Sequence, residues 1–96
     1  MNTQIEIENK LRRLKPMLNK LYHVDKIGYF GSYSRNEQDQ NSDIDILVCF
    51  RKPIGWDFFD LQEFLEKELE LKVDLVSEKA LKEQLRQIIL NSVKYI

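Results

Sequence analysis

Residues 43–50, DIDILVCF, constrain this chain more than any other stretch. Ile44, Ile46, Val48 and Phe50 alternate with Asp43, Asp45, Leu47 and Cys49, the period-two pattern of a strand that buries one face. Asp43 and Asp45 then leave the same face, about 6.6–6.8 Å apart along the strand. Acids in an apolar strand are unfavourable unless something compensates them. A second run at 72–76, KVDLV, sets Asp74 between Val73 and Leu75, whose side chains point the opposite way. If the two strands are neighbours, about 4.8 Å apart, Asp74 converges on the same point. Three carboxylates within that radius resist ionising together without a cation. A hard divalent ion such as Mg²⁺, which takes carboxylate and phosphate oxygens, resolves the conflict.

The remaining pattern predicts a small mixed sheet with helices packed on it, an α/β (α+β) domain spanning 1–96. Ninety-six residues make one modest core and leave no room for a second. Thr3 and Glu6 form a capping box ahead of Ile5, Leu11, Leu14, Leu18 and Leu21. Pro16 interrupts that series, and a mid-helix proline costs about 3 kcal/mol. Two helices are therefore expected, at 3–14 and 16–22. Strands follow at 26–30, 43–50 and 72–76. A helix capped by Asp57 carries Phe58, Leu61, Phe64, Leu65 and Leu69, and a last one capped by Ser77 carries Leu81, Leu85, Ile88 and Ile89. The terminal VKYI reads equally as a frayed helix end or an edge strand. A helix between the second and third strands implies a parallel crossover.

The turn that ends the first strand supplies groups complementary to the acids. Gly31 lets backbone approach a bulky anion, and Ser32 offers a hydroxyl and an N–H. If Ser32 opens a helical turn, its free N–H groups point at a phosphate. Arg35 adds a planar fork suited to phosphate oxygens. Each element also has a plainer reading: Gly-Ser is a common turn, Asp43 a solvated strand start, Arg35 a surface ion pair. Asp45 and Asp74 resist such readings, since each interrupts an apolar strand without a cationic neighbour in sequence. Together the phosphate turn and the acid cluster imply nucleoside triphosphate chemistry.

The stretch GSYSRNEQDQNSDID, with Gly-Ser ten residues ahead of Asp-x-Asp, resembles the signature of the DNA polymerase β-like nucleotidyltransferases. LKPMLNKLYHVDKIGYFGSYSR, SDIDILVCF and KVDLVSEKALKEQLRQIIL resemble, more narrowly, the minimal nucleotidyltransferases (MNT) that partner HEPN-domain toxins in prokaryotic toxin–antitoxin pairs. That resemblance implies the polymerase β-like fold, two Mg²⁺ ions and ATP as donor. Asp43, Asp45 and Asp74 would bind metal, with Asp74 helping to deprotonate the attacking hydroxyl. Gly31 and Ser32 would hold the triphosphate, with Arg35 close by. The implied activity is that of a type VII-like antitoxin: AMP passes to a tyrosine hydroxyl of a HEPN ribonuclease, pyrophosphate leaves, and the toxin, held in a hetero-oligomer, is silenced. Many relatives have Gly where this chain has Asn36, a residue that tolerates left-handed backbone, and Ser34 replaces a common Ala.

Two rival functions compete: an antitoxin that masks its toxin by binding, and a free-standing transferase acting on small molecules. Length opposes the second, because no separate acceptor-binding domain fits. Fifteen Lys and Arg against 16 Asp and Glu, a net charge of −1, oppose stable nucleic-acid binding. The single cysteine, Cys49, fits a reducing prokaryotic cytoplasm and reads as a packed thiol. No apolar run reaches the roughly 20 residues of a membrane span. His23 reads as solvent-facing, and Trp56, Phe58 and Phe59 as anchors of their loop and helix or as a partner surface. Lys72, Lys79, Lys82 and Arg86 read as a solvated face rather than an approach to the site.

Overall fold

The alternating run of residues 44–50 becomes an interior strand of a four-stranded sheet. The structure, a computed structural model, describes residues 3–39 and 41–96. Its elements are α1 (Gln4–Tyr22), β1 (Val24–Phe30), β2 (Ile44–Phe50), α2 (Asp57–Leu69), β3 (Val73–Ser77), a 3₁₀ turn (Glu78–Ala80), α3 (Glu83–Ser92) and β4 (Lys94–Tyr95). The strand order is β3-β2-β1-β4. β2 runs parallel to β3, as the intervening α2 requires, and β1 lies antiparallel to both β2 and β4.

One face of the sheet meets α1 and α2. Ile44, Ile46 and Val48 of β2, Ile27 and Tyr29 of β1, and Val73 and Leu75 of β3 enclose a core with Ile7, Leu11 and Leu18 of α1 and Leu61, Leu65 and Leu69 of α2. The helical stripe of α2 is the expected one, with Phe58 and Phe64 partly buried at its edges. Asp57 opens this helix rather than capping it; Trp56 holds the cap position and makes no side-chain capping bond. Phe58 anchors the helix through an edge-on contact with Phe50, ring centroids 6.2 Å apart. Trp56 and Phe59 stack on each other but stay exposed, so the anchoring role falls to Phe58 alone.

Two further expectations are corrected and one open alternative is settled. First, α1 is one helix with Pro16 inside it. Its buried residues, Ile7, Leu11 and Leu18, lie on a single stripe, which needs an unbroken axis. Pro16 and Arg12, whose carbonyl loses its partner, are both exposed, so water can serve that carbonyl. Ile5 and Leu21, expected on the stripe, point outward, and Ile7 takes the place assigned to Ile5. The Thr3–Glu6 capping box is present as expected.

Second, Ser77 ends β3 and makes no capping bond. The chain passes through the 3₁₀ turn before α3 begins at Glu83 behind an uncapped Lys82. No residue of α3 is buried, and Leu85 and Ile88 are exposed. Third, the terminal segment resolves as an edge strand pairing Tyr95 with Gly28 and Lys94 with Tyr29. Gly28 permits this, because a Cβ there would lie 2.7 Å from the Lys94 carbonyl oxygen. His23, half-buried, closes α1 in left-handed backbone with its ring Nδ1 3.2 Å from Arg51 Nη2.

Candidate active site

The second sheet face is where the acids gather. Register pairs Asp45 with Asp74 across the parallel β2–β3 ladder, so their side chains leave the same face side by side. On its other flank Asp45 pairs with Phe30, the last residue of β1, which brings the following Gly31 against it. The approach is close: a Cβ at Gly31 would overlap Asp45 Oδ2 and lie 3.2 Å from its Cγ, so any other residue would have to displace that carboxylate. Gly31 also holds φ +73°, in the left-handed region. The Gly-Ser turn and the Asp-x-Asp strand, ten residues apart, are therefore in contact.

Local hydrogen bonds shape that turn. The Gly31 carbonyl accepts from Ser34 N at 3.1 Å and Arg35 N at 3.3 Å, and the Ser32 carbonyl from Arg35 N at 3.2 Å and Glu37 N at 2.8 Å. These bonds close residues 31–36 into a tight turn. The N–H groups of Ser32 and Tyr33, at its open start, take no backbone carbonyl among the described residues. Ser34, largely buried, donates its hydroxyl to the Gly31 carbonyl at 2.8 Å, which explains how it is accommodated. Asn36 holds φ 56°, so the left-handed conformation expected of it is realised.

Electrostatics mark Asp45 as the strained member of the cluster. Its pKa is pushed up to about 6, first by burial, then by the charge of Asp74 and a hydrogen bond between the two carboxyls, then by Asp43. The Arg35 guanidinium acts in the opposite direction. Asp74 is exposed, and so is Asp43, which stands one residue before β2. Arg35 is exposed too, and its Nε lies 2.5 Å from Glu37 Oε1. Its plainer reading as a surface ion pair is thus realised, while its charge still reaches Asp45.

Whether these residues suit a divalent cation can be judged from the donor set. Asp45 and Asp74 form an all-oxygen pair, Asp43 adds negative charge beside them, and the missing Cβ of Gly31 makes room for the Asp45 carboxylate. Among the described residues no three His, Cys, Asp or Glu side chains are drawn together tightly enough to hold an ion as they stand. The oxygen donors of the set are of the kind that a hard divalent cation such as Mg²⁺ accepts.

Two partners of the site have no motif in the sequence. Gln4 donates its side-chain amide to the carbonyls of Tyr33 at 2.8 Å and Ser34 at 3.1 Å. Beneath the turn, buried Tyr29 donates its hydroxyl to Glu8 Oε2 at 2.5 Å, and burial with this carboxylate raises the tyrosine pKa. Both contacts tie α1 to β1 and its turn across more than 20 residues of chain, a distance at which local pattern carries no signal. Farther along the acid face, half-buried Cys49 donates to the Glu78 carboxylate, and Arg86 Nη2 lies 2.7 Å from Glu78 Oε1. Burial, then the Glu78 bond, pushes the Cys49 thiol up to about 12, as befits a packed residue. Arg86 is thereby a structural ion-pair member, whereas Lys72, Lys79 and Lys82 are exposed. No helix among the described residues is long and apolar enough to cross a membrane.

The nucleotidyltransferase domain family matches residues 11–96. The protein adenylyltransferase MntA of Thermococcus cleftensis is 42% identical over 97 aligned positions, covering 100% of this chain and 98% of that one. A solved structure assigned as a minimal nucleotidyltransferase superposes with a TM-score of 0.84 at 26% identity, covering 97% of this chain and 95% of that one. The MNT antitoxin bound to a tri-AMPylated HEPN toxin of Shewanella oneidensis superposes with a TM-score of 0.70 at 28% identity, covering 97% and 71%. The matched region contains Gly31, Ser32, Asp43, Asp45 and Asp74, the same residues that the fold brings to one end of one sheet face, and the chain belongs to the nucleotidyltransferase domain family.

Proposed function

We propose that this protein is an antitoxin that transfers AMP from ATP to a tyrosine hydroxyl of a HEPN toxin and thereby neutralises it. The observation that carries the reading is the contact of Gly31 with Asp45, itself the register partner of Asp74. The similarity to MntA and to an MNT antitoxin in complex with a modified HEPN toxin supports the choice of donor and acceptor.

In this reading the open N–H groups of Ser32 and Tyr33 and the Arg35 guanidinium receive the triphosphate. Asp43, Asp45 and Asp74 would hold Mg²⁺, which when bound neutralises charge on the triphosphate and on the departing pyrophosphate. Asp74, exposed beside half-buried Asp45, is the carboxylate that an incoming hydroxyl meets and to which it can yield its proton. The acceptor oxygen bonds to the α-phosphorus, the bond from that phosphorus to the bridging oxygen breaks, and pyrophosphate departs with the electron pair. α1 and α2 cover the opposite sheet face, so an acceptor approaches from the acid face.

The test is incubation of the purified protein with ATP, Mg²⁺ and its cognate HEPN protein, followed by intact-mass measurement. The toxin should gain mass in AMP units, on tyrosine, and lose ribonuclease activity in step. Unmodified toxin that is nonetheless silenced in a stable complex would refute transfer in favour of masking. That second reading has its own support in the complex formed by the similar antitoxin.

A further inference from the structure

Gln4, the first residue of α1, is bonded to the turn that follows β1 rather than to its own helix. Its Nε2 donates to Tyr33 O at 2.8 Å and to Ser34 O at 3.1 Å, so one amide group holds two consecutive peptide carbonyls. The support behind it is firm. Thr3 caps α1 by accepting from Glu6 N at 3.2 Å, and Glu6 Oε1 accepts from Thr3 N at 3.3 Å. One turn further on, Ile7 is fully buried and Glu8 accepts from Tyr29. On the turn side, Tyr33 and Ser34 are both buried, and the Ser34 hydroxyl is bonded back to Gly31.

The consequence is electrostatic. A peptide carbonyl oxygen is the negative end of its dipole, and an oxygen turned toward a triphosphate would repel it. Holding the Tyr33 and Ser34 carbonyls against α1 fixes both peptide planes. The N–H groups in those two planes, of Ser34 and Arg35, bond back to the Gly31 carbonyl and so brace the start of the turn, where the Ser32 and Tyr33 N–H groups are left to face an anion. A donor set fixed before the ligand arrives avoids the ordering loss that a loose turn would incur on binding.

We propose that Gln4 is a positioning residue for the triphosphate, acting through the Gly31–Asn36 turn; the proposal rests on that turn being the triphosphate holder. Gln4→Met keeps the length and apolar stem of the side chain and removes the donor. Calorimetric titration with α,β-methylene-ATP and Mg²⁺, which bind without turnover, should show roughly fivefold weaker affinity, the worth of about one neutral hydrogen bond. AMP, which lacks the outer phosphates, should change by less than about twofold, and in turnover KM for ATP should rise with kcat held within about twofold. A residue that merely supported the fold would instead reduce the active fraction, and with it kcat, leaving the affinity of the folded molecules unchanged. Gln4→Lys, which keeps an N–H donor of similar reach, should restore the preference for α,β-methylene-ATP over AMP.

Wild-type affinity of Gln4→Met for α,β-methylene-ATP, or equal losses for α,β-methylene-ATP and AMP, would overturn the role of Gln4 alone. Failure of the wild-type protein to bind α,β-methylene-ATP at all would overturn the proposed function and this inference with it, so the two failures are distinguishable.

Discussion

Asp45→Asn should make the metal-free protein more stable while removing its activity. Asp45 has a folded-state pKa of about 6, against about 3.9 for an aspartate in an unfolded chain. Because the folded value is the higher, the folded state holds a proton through this window that the unfolded state has released. Stability therefore falls as pH rises from about 4 to about 6 and stays reduced above it. The difference between those two values corresponds to at most about 3 kcal/mol. The residue is only half-buried, so solvent screening brings the expected figure to about 1 kcal/mol. Asparagine has nearly the same volume, carries no charge and can donate to Asp74. In a domain of this size, 1 kcal/mol moves Tm by about 4–8 °C.

Thermal denaturation in EDTA should thus show the Asp45→Asn variant melting several degrees above wild type at pH 7.5, with the gap narrowing toward pH 4. Mg²⁺ should raise the wild-type Tm and hardly move that of the variant, which closes the gap from the other side. A variant no more stable than wild type at pH 7.5 would refute the reasoning. So would a gap independent of pH, since the advantage would then come from something other than the Asp45 charge.

Gly31→Ala should destabilise the fold by about 1–3 kcal/mol, from left-handed backbone strain and overlap with the Asp45 carboxylate. Denaturant unfolding of Gly31→Ala, Asp45→Gly and the double variant should give a favourable coupling of at least about 0.5 kcal/mol, because removing the carboxylate leaves only the strain; additive losses would mean the two do not touch. Pro16→Ala should stabilise by about 1–3 kcal/mol, by restoring a hydrogen bond within α1. A neutral or destabilising result in the same assay would mean that the helix is broken at that point after all.

Much of this protein was determined by local pattern. The alternation at residues 44–50, the stripe Leu61, Leu65 and Leu69, the Thr3–Glu6 box and the Gly-Ser spacing to Asp-x-Asp were all readable, because strand and helix periods are set within a few residues. The acids of the site were legible for a related reason: charge in a buried-strand pattern is a contradiction that must be resolved somewhere. Where the sequence reading failed, a local penalty met a distant compensation. Pro16 would divide α1 in isolation, but burying Ile7, Leu11 and Leu18 in one core holds the helix together. Ser77 had the chemistry of a cap, yet β3 extends to claim it. VKYI could be helix or strand until Gly28 offered it an edge without a side chain in the way. The site itself divides along the same line. The chain order named Asp45, Asp74 and Gly31, but only the β2–β3 register set the two acids side by side, and only the β1–β2 pairing pressed Gly31 onto one of them. Gln4 had no motif at all, because its partners are backbone carbonyls, which every residue possesses; its role exists only once folding has brought the start of α1 to the turn.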